Sequence, residues 1–274
     1  MENFIEIGIV DTRNIVKTIK DNYGYDLTNY ALTSLKRRLE RVLLLHNIKN
    51  PDTLIVKLKE SSDYYTRFLK DFLVETTEMF RDPSLWRWLR DNYFKEMFNL
   101  NSSFKIWLPD CVGGDELFSL CILLKEENML DKFDIIASSI NNYQIEKVKS
   151  GECPIKKIET GAENYKRFNG FGDFSIYYKT DDNFAYRDKK LIENVEFKMI
   201  NIAEEVLPKH LDIIIYRNHF IYYNQTLQDD ITVKLMNSLK SGGLFIIGNK
   251  EILGRQFLND FVLINHSESV YKKR

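Results

Sequence analysis

Apolar residues recur at helical spacing from Thr12 to about Asp91 and gather into short blocks after Phe104. In the first region "DTRNIVKTIKDNYG" runs to Gly24, a residue suited to stopping a helix. "LTNYALTSLKRRLERVLLLHNI" sets Leu32, Leu35, Leu39, Val42 and Leu43 at helical intervals. In "NPDTLIVKLKE", Asn50 before Pro51 predicts an N-cap followed by proline at the first helical position. "SSDYYTRFLKDFLVETTEMF" and "DPSLWRWLRDNYF" continue the pattern, the second opening on an Asp-Pro start signal. Together these segments predict a small all-helical N-terminal domain.

Beyond Phe104 the blocks "FKIWLP", "FDIIASSI", "VEFKMINI", "LDIIIYR" and "GGLFIIGN" alternate with the helical candidates "DELFSLCILLKEE", "NNYQIEKVKS" and "QTLQDDITVKLMNSLK". That alternation predicts an α/β domain with a mostly parallel sheet and helices on both faces. Between Gly151 and Asn194 the pattern breaks. There "FSIYYKTDDNFAYRDKK" reads as two short strands around "TDDN", an inserted antiparallel β hairpin. The tail "FVLINHSESVYKKR" supplies a final strand pair. A polar break at Asn99 to Ser103, "NLNSS", divides a helical part over 1–99 from an α/β domain over 100–274, with the hairpin subdomain at about 151–194.

Charge narrows the partners. Lys and Arg number 39 against 40 Asp and Glu, a net charge of -1, so no global field draws the chain to nucleic acid or anionic membrane. Cys111, Cys121 and Cys153 form neither a disulfide framework nor a CxxC metal pattern. Cys111 and Cys121 lie in or beside apolar runs, as buried thiols of a reducing compartment do. "MENFIEIGIVDTRN" lacks the features of a signal peptide, and no apolar run approaches the ~18 residues of a membrane span. The expectation is a cytoplasmic protein with no metal, no nucleic-acid partner and no membrane insertion.

Open α/β sheets bind ligands outside the carboxyl ends of their strands. The segments to inspect are therefore "DCVGGDE", "SSIN", "NI" and "RNHFIYYN". "DCVGGDELFS" stands where a nucleotide-type cofactor loop belongs, with fewer glycines than GxGxxG and a different spacing.

Several segments, in order, resemble those of the CheR chemotaxis methyltransferases: "TTEMFRD", "WLPDCVGGDELFSL", "DIIASSINNYQIEKVKSG", "YRNHFIYYN" and "LKSGGLFIIGNKE". The helical start "YGYDLTNYALTSLKRRLERVLLLHNI" is similar to that family's N-terminal domain, so the likeness runs from about Asp11 to the end. It implies a Rossmann-like methyltransferase domain using S-adenosylmethionine and releasing S-adenosylhomocysteine. It also implies glutamate substrates on methyl-accepting chemoreceptor cytoplasmic helices, or on another acidic helical protein. In some family members the antiparallel subdomain docks receptor tails.

The resemblance further implies a cofactor slot lined by Thr77, Arg81, Glu116, Ser139, Asn201, Ile202, Asn218 and His219, with Arg81 and Tyr222 orienting the glutamate. A guanidinium suits a carboxylate bidentately, although Arg81 also has Glu78 and Asp82 nearby in sequence. Glu116, and less directly Asp115, would meet the cofactor's ammonium; both also favour a helix N-terminus. Asn201 would take the adenine's edge and Ile202 its face. Ser139 stands where the family has an acid for both ribose hydroxyls, and a serine offers one oxygen on a shorter arm. Asn141 and Asn142 are near enough to compensate.

Other departures are Val112-Gly113 for a small hydroxyl pair, Glu75 for a frequent Asn, and His219 for Val, as a packing histidine. Transfer to a carboxylate needs no base, since the nucleophile is anionic at neutral pH. Lys36, Arg37, Arg38 and Arg41 form a basic stretch, with Arg37 and Arg41 on one face, either against acidic receptor helices or simply solvated. The departures also admit a weakly active or inactive relative serving as a binding or regulatory module. A slot filled by Phe118 or Tyr143 would mark it. A small-molecule methyltransferase would leave the helical domain and hairpin without a purpose.

Overall fold

The computed structural model describes residues 6–73, 77–97, 103–203 and 205–274. The chain divides into two compact units, Met1–Glu75 with His219–Asp230, and Thr76–Asn218 with Ile231–Arg274.

The first unit contains helices α1 (Ile9–Tyr23), α2 (Leu32–Leu45), α3 (Pro51–Glu60) and α4 (Ser62–Phe72). Gly24 ends α1 at φ 71°, its N–H donating to Lys20 O. Asn50 caps α3, its side-chain oxygen accepting from the Asp52 N–H at 2.8 Å. Ile15, Ile19, Leu35, Leu39, Phe68 and Phe72 form the centre of this unit's core. At the end of α2, the His46 ring reaches the Tyr64 hydroxyl through Nδ1 (2.7 Å) and Asp71 through Nε2 (2.8 Å), tying α2 to α4.

The second unit opens with α5 (Pro83–Trp88), which continues through a π-helical turn, Leu89–Phe94, into α6 (Lys95–Met97). Leu85, Trp86, Leu89, Phe94 and Met97 share a core with the sheet residues Ile106, Ile135 and Ile213. These helices therefore pack with the α/β unit, although the sequence pattern groups them with the helical part. Periodicity reveals an apolar face and not the core that receives it. The polar stretch taken as the boundary falls almost wholly outside the described residues.

The strands of this unit are β1 (Phe104–Leu108), β2 (Phe133–Ser139), β3 (Glu152–Pro154), β4 (Tyr178–Thr180), β5 (Phe184–Arg187), β6 (Glu196–Met199), β7 (Leu211–Ile215), β8 (Leu239–Ile246), β9 (Phe261–Asn265) and β10 (Val270–Lys273). The main sheet runs β6-β2-β1-β7-β8-β10-β9. Its β6, β2, β1, β7 and β8 are mutually parallel, and β10 lies antiparallel between β8 and β9. Ile106, Trp107, Leu108 and Ile213 to Ile215 are buried, which explains why these strands read as continuous apolar blocks. Helices α7 (Asp115–Glu126), α8 (Asn142–Ser150) and α10 (Gln225–Ser238) follow β1, β2 and β7 along the chain. The fold is thus the expected Rossmann-like α/β arrangement preceded by helices.

The inserted hairpin forms between β4 and β5, with Thr180 opposite Ala185. Asp181 closes its turn by accepting the N–H groups of Asn183 (2.8 Å) and Phe184 (2.7 Å). A third strand, β3, pairs with the other side of β5, and α9 (Ile155–Phe168) follows it. The sequence reading identified neither.

Candidate cofactor site

Strand order reverses between β1 and β7, so the crevice at their carboxyl ends is the position for a ligand. The loop leaving β1 is a tight turn, with Asp110 at φ 48°, Gly113 at 79° and Gly114 at 76°. A Cβ on Gly114 would lie 2.8 Å from Val148 Cγ1 and 3.2 Å from Arg187 Nη1. Backbone conformation and packing both require glycine there. Gly114 then caps α7, whose first N–H groups are donors without helical acceptors.

Asp115 does not serve as a free acid. It is buried, and its carboxylate lies 2.8 Å from Lys157 Nζ and 3.0 Å from Arg187 Nη2. It also accepts from the Thr77 hydroxyl at 2.7 Å, so Thr77 is held against the loop through Asp115. Arg187, at the end of β5, donates from Nη1 to Gly113 O at 2.7 Å and covers the Phe118 ring at 4.9 Å. Of the two rings whose intrusion would mark a blocked slot, Phe118 is buried in the core beneath Arg187 and Tyr143 is 40% exposed on α8.

Arg217, two residues past β7, is the hub of the crevice, and sequence reasoning missed it. Its Nη1 lies 2.7 Å from Glu116 Oε1 and 3.3 Å from Arg81 O, and its Nη2 pairs with Asp82. Burial pushes the Glu116 carboxyl above the usual carboxylate range, and Arg217 offsets part of that rise. Glu116, expected to face the cofactor's ammonium, already holds this internal cation. The one available signal was a charged residue directly after the apolar run "LDIIIY".

Arg81 sits between Phe80 (φ 51°) and Asp82 (φ 53°), two non-glycine residues in the left-handed region. Such residues cost roughly 1–3 kcal/mol each and persist where their surroundings over-determine them. Here the Phe80 ring stacks on Phe168 with centroids 4.8 Å apart, and the Phe80 N–H donates to Ser119 Oγ at 2.7 Å. Asp82 accepts from Asn249 Nδ2 at 3.1 Å besides pairing with Arg217, and Trp86 Nε1 donates to Arg81 O at 2.9 Å.

At the tip of β2 the Ser139 hydroxyl is buried and donates to Gln144 Oε1. Asn141 caps α8, its side-chain oxygen accepting the Gln144 N–H at 2.9 Å, so that oxygen is engaged and does not replace the missing acid. Asn142 is the first residue of α8. Asn201 Oδ1 accepts from the Ala203 N–H at 3.1 Å, and Ile202 is buried. Asn218, at φ 62°, donates its N–H to Glu251 Oε2 at 2.9 Å, and Glu251 also takes the Gly248 N–H at 2.7 Å. Asn218 Oδ1 is buried and has no hydrogen-bond partner among the described residues, an acceptor that a ligand N–H or O–H would satisfy. Burial pushes the Cys111 thiol up to about 12, leaving it an inert neighbour.

His219 and Tyr222 belong to the first unit. Burial and the Arg38 charge lower the His219 pKa to about 3, so the ring is neutral, as a packing histidine is. The Arg38 guanidinium covers the Tyr222 ring at 4.0 Å and faces Phe72 at 5.7 Å. Arg38 is therefore a buried packing residue, while Arg37 and Arg41 remain exposed. Glu75 lies outside the described residues.

The family model for the CheR methyltransferase SAM binding domain matches residues 75–270, and that for the CheR methyltransferase all-alpha domain matches 11–73. The chain belongs to the CheR methyltransferase family. It is 29% identical over 242 residues to the putative methyltransferase Cher3 of Pseudomonas putida, covering 88% of both chains. It is 23% identical over 255 residues to a chemotaxis protein methyltransferase of Listeria innocua, covering 90% of this chain and 94% of that one. For the chemotaxis protein methyltransferase of Borreliella burgdorferi the identity is 24% over 264 residues, covering 91% and 90%. The cofactor of this CheR chain is S-adenosylmethionine. The glycine turn, the N-terminus of α7 and the orphaned Asn218 oxygen fit such a ligand.

Proposed function

We propose that this CheR-family chain methylates glutamate side chains on cytoplasmic helices of a chemoreceptor, acting in the cytoplasm. The observation that carries the reading is Arg81, locked between two left-handed residues beside the Arg217 and Glu116 pair. S-adenosylmethionine supplies the electrophilic methyl group. Arg81 holds the incoming carboxylate, and Tyr222 orients it. Thr77, Glu116, Ser139, Asn201, Ile202, Asn218 and His219 line the cofactor slot together with Arg81. Glutamate is anionic at neutral pH, so the chain supplies alignment rather than a base. The neutrality of His219 agrees with that division of labour. Exposed Arg37 and Arg41 offer positive charge to an acidic helix. Each methyl ester removes one negative charge from that helix.

A second reading rests on Ser139, whose hydroxyl is committed to Gln144. In it the chain binds cofactor weakly and acts as a regulatory module. The deciding experiment incubates the full chain with methyl-labelled S-adenosylmethionine and a chemoreceptor cytoplasmic fragment from the same organism, and counts base-labile label. Label on glutamates supports methyl transfer to receptors. Cofactor binding without such label, or no binding at millimolar ligand, favours the second reading.

A further inference from the structure

The acids at the carboxyl edge of β1 and β7 differ in how they are satisfied. Asp115 has Lys157 and Arg187; Glu116 and Asp82 share Arg217; Glu251 takes two backbone N–H groups. Asp110 stands apart. It follows β1 by two residues at φ 48°, and among the described residues its side chain meets the Tyr216 hydroxyl, 3.3 Å from Oδ2. Tyr216 is itself the first residue past β7, fully buried, with its N–H on Ile246 O. The pair thus bridges the tips of the two strands that flank the crevice. Among the described residues no cationic side chain faces Asp110, and burial pushes its carboxyl up to about 7. Ionised at pH values above about 7, a carboxylate at a ligand crevice with no internal cation can receive one from outside.

We infer that Asp110 receives the positively charged part of S-adenosylmethionine at this edge. The inference rests on the cofactor occupying the β1–β7 crevice. S-adenosylmethionine carries two cationic groups, a sulfonium and an ammonium, whereas S-adenosylhomocysteine keeps only the ammonium. Asp110 in contact with the sulfonium favours the methyl donor over the spent product.

The test is calorimetric titration of the full chain with each ligand at pH 8, for wild type, Asp110→Asn and Asp110→Gly. Asparagine keeps the shape and tolerates the left-handed conformation, and glycine takes it without strain, so the backbone turn survives in both. The expected result is roughly tenfold weaker binding of S-adenosylmethionine by both variants, the scale of losing a charge-assisted contact. Loss for S-adenosylmethionine alone assigns Asp110 to the sulfonium; equal loss for both ligands assigns it to the ammonium. Unchanged or tighter binding by the variants overturns the inference and leaves the cofactor standing. A wild-type chain that binds neither ligand overturns both.

Discussion

Arg217 Nη1 stands 2.7 Å from Glu116 Oε1, joining the end of β7 to the first turn of α7. The same side chain, 1% exposed, also holds Asp82 and the Arg81 carbonyl. One guanidinium therefore fixes three segments of the crevice, a task suited to its planar fork of donors.

Removing that cation strands two acids. For Arg217→Gln we expect a stability loss of about 3–5 kcal/mol, the range for breaking one side of a buried pair. Burial already raises the Glu116 pKa, and without Arg217 it rises further. An acid whose folded pKa is raised destabilises more as pH increases through that range. The loss should therefore be larger at pH 8 than at pH 5. Denaturant unfolding at the two pH values measures it, and equal losses would refute the assignment of the destabilisation to Glu116.

Arg81→Ala should separate activity from stability. The Arg81 backbone oxygen accepts from Trp86 and Arg217, and both bonds survive truncation of the side chain. We expect methyl transfer to fall by at least about a hundredfold, the cost of losing a positioning contact, with unfolding shifted little. Retained transfer would end its role in holding the glutamate.

Ser139→Asp tests the tip of β2. The new carboxylate would face Gln144 Oε1, so the Gln144 amide must turn and donate through Nε2. We expect S-adenosylhomocysteine to bind about tenfold tighter, reflecting a charge-assisted ribose contact. Unchanged affinity in a folded variant would mean that the ribose lies elsewhere.

His219 predicts an acid limb in stability. Its folded pKa of about 3 lies below the ordinary 6.5, so the unfolded chain binds a proton that the folded ring refuses. The stabilising contribution is complete above about 6.5 and is lost as pH falls from there toward 3. His219→Leu should flatten the fall in melting temperature over that window. An unaltered profile would assign the acid sensitivity to other groups.

Much of the fold is legible along the chain because it is local. The parallel strands β1, β2, β6, β7 and β8 follow from short apolar blocks, and Gly24, Asn50 and Pro51 mark helix ends through their own backbone preferences. The hairpin β4–β5 follows from "TDDN" in the same way. Strand β3 is three residues long and finds its partner only across α9, so no periodicity reveals it. The site is less legible. Arg217 meets Glu116 and Asp82 across 101 and 135 residues of sequence, and Arg38 lies beneath aromatic rings despite sitting in a basic run. Arg38 packs inside a run that reads as a solvated face, and Glu116 has an internal partner besides any ligand, because burial selects an ion's neighbours from distant parts of the chain.

Arg187 belongs to the small three-stranded sheet, yet its guanidinium grips the Gly113 carbonyl and the Asp115 carboxylate of the loop after β1. A force that tilts β5 is thereby transmitted to the turn that opens α7. If a load on the small sheet changes ligand affinity at the loop by some factor, thermodynamic reciprocity returns the same factor to the load. Arg187 is the contact through which the inserted sheet and the cofactor loop would feel one another.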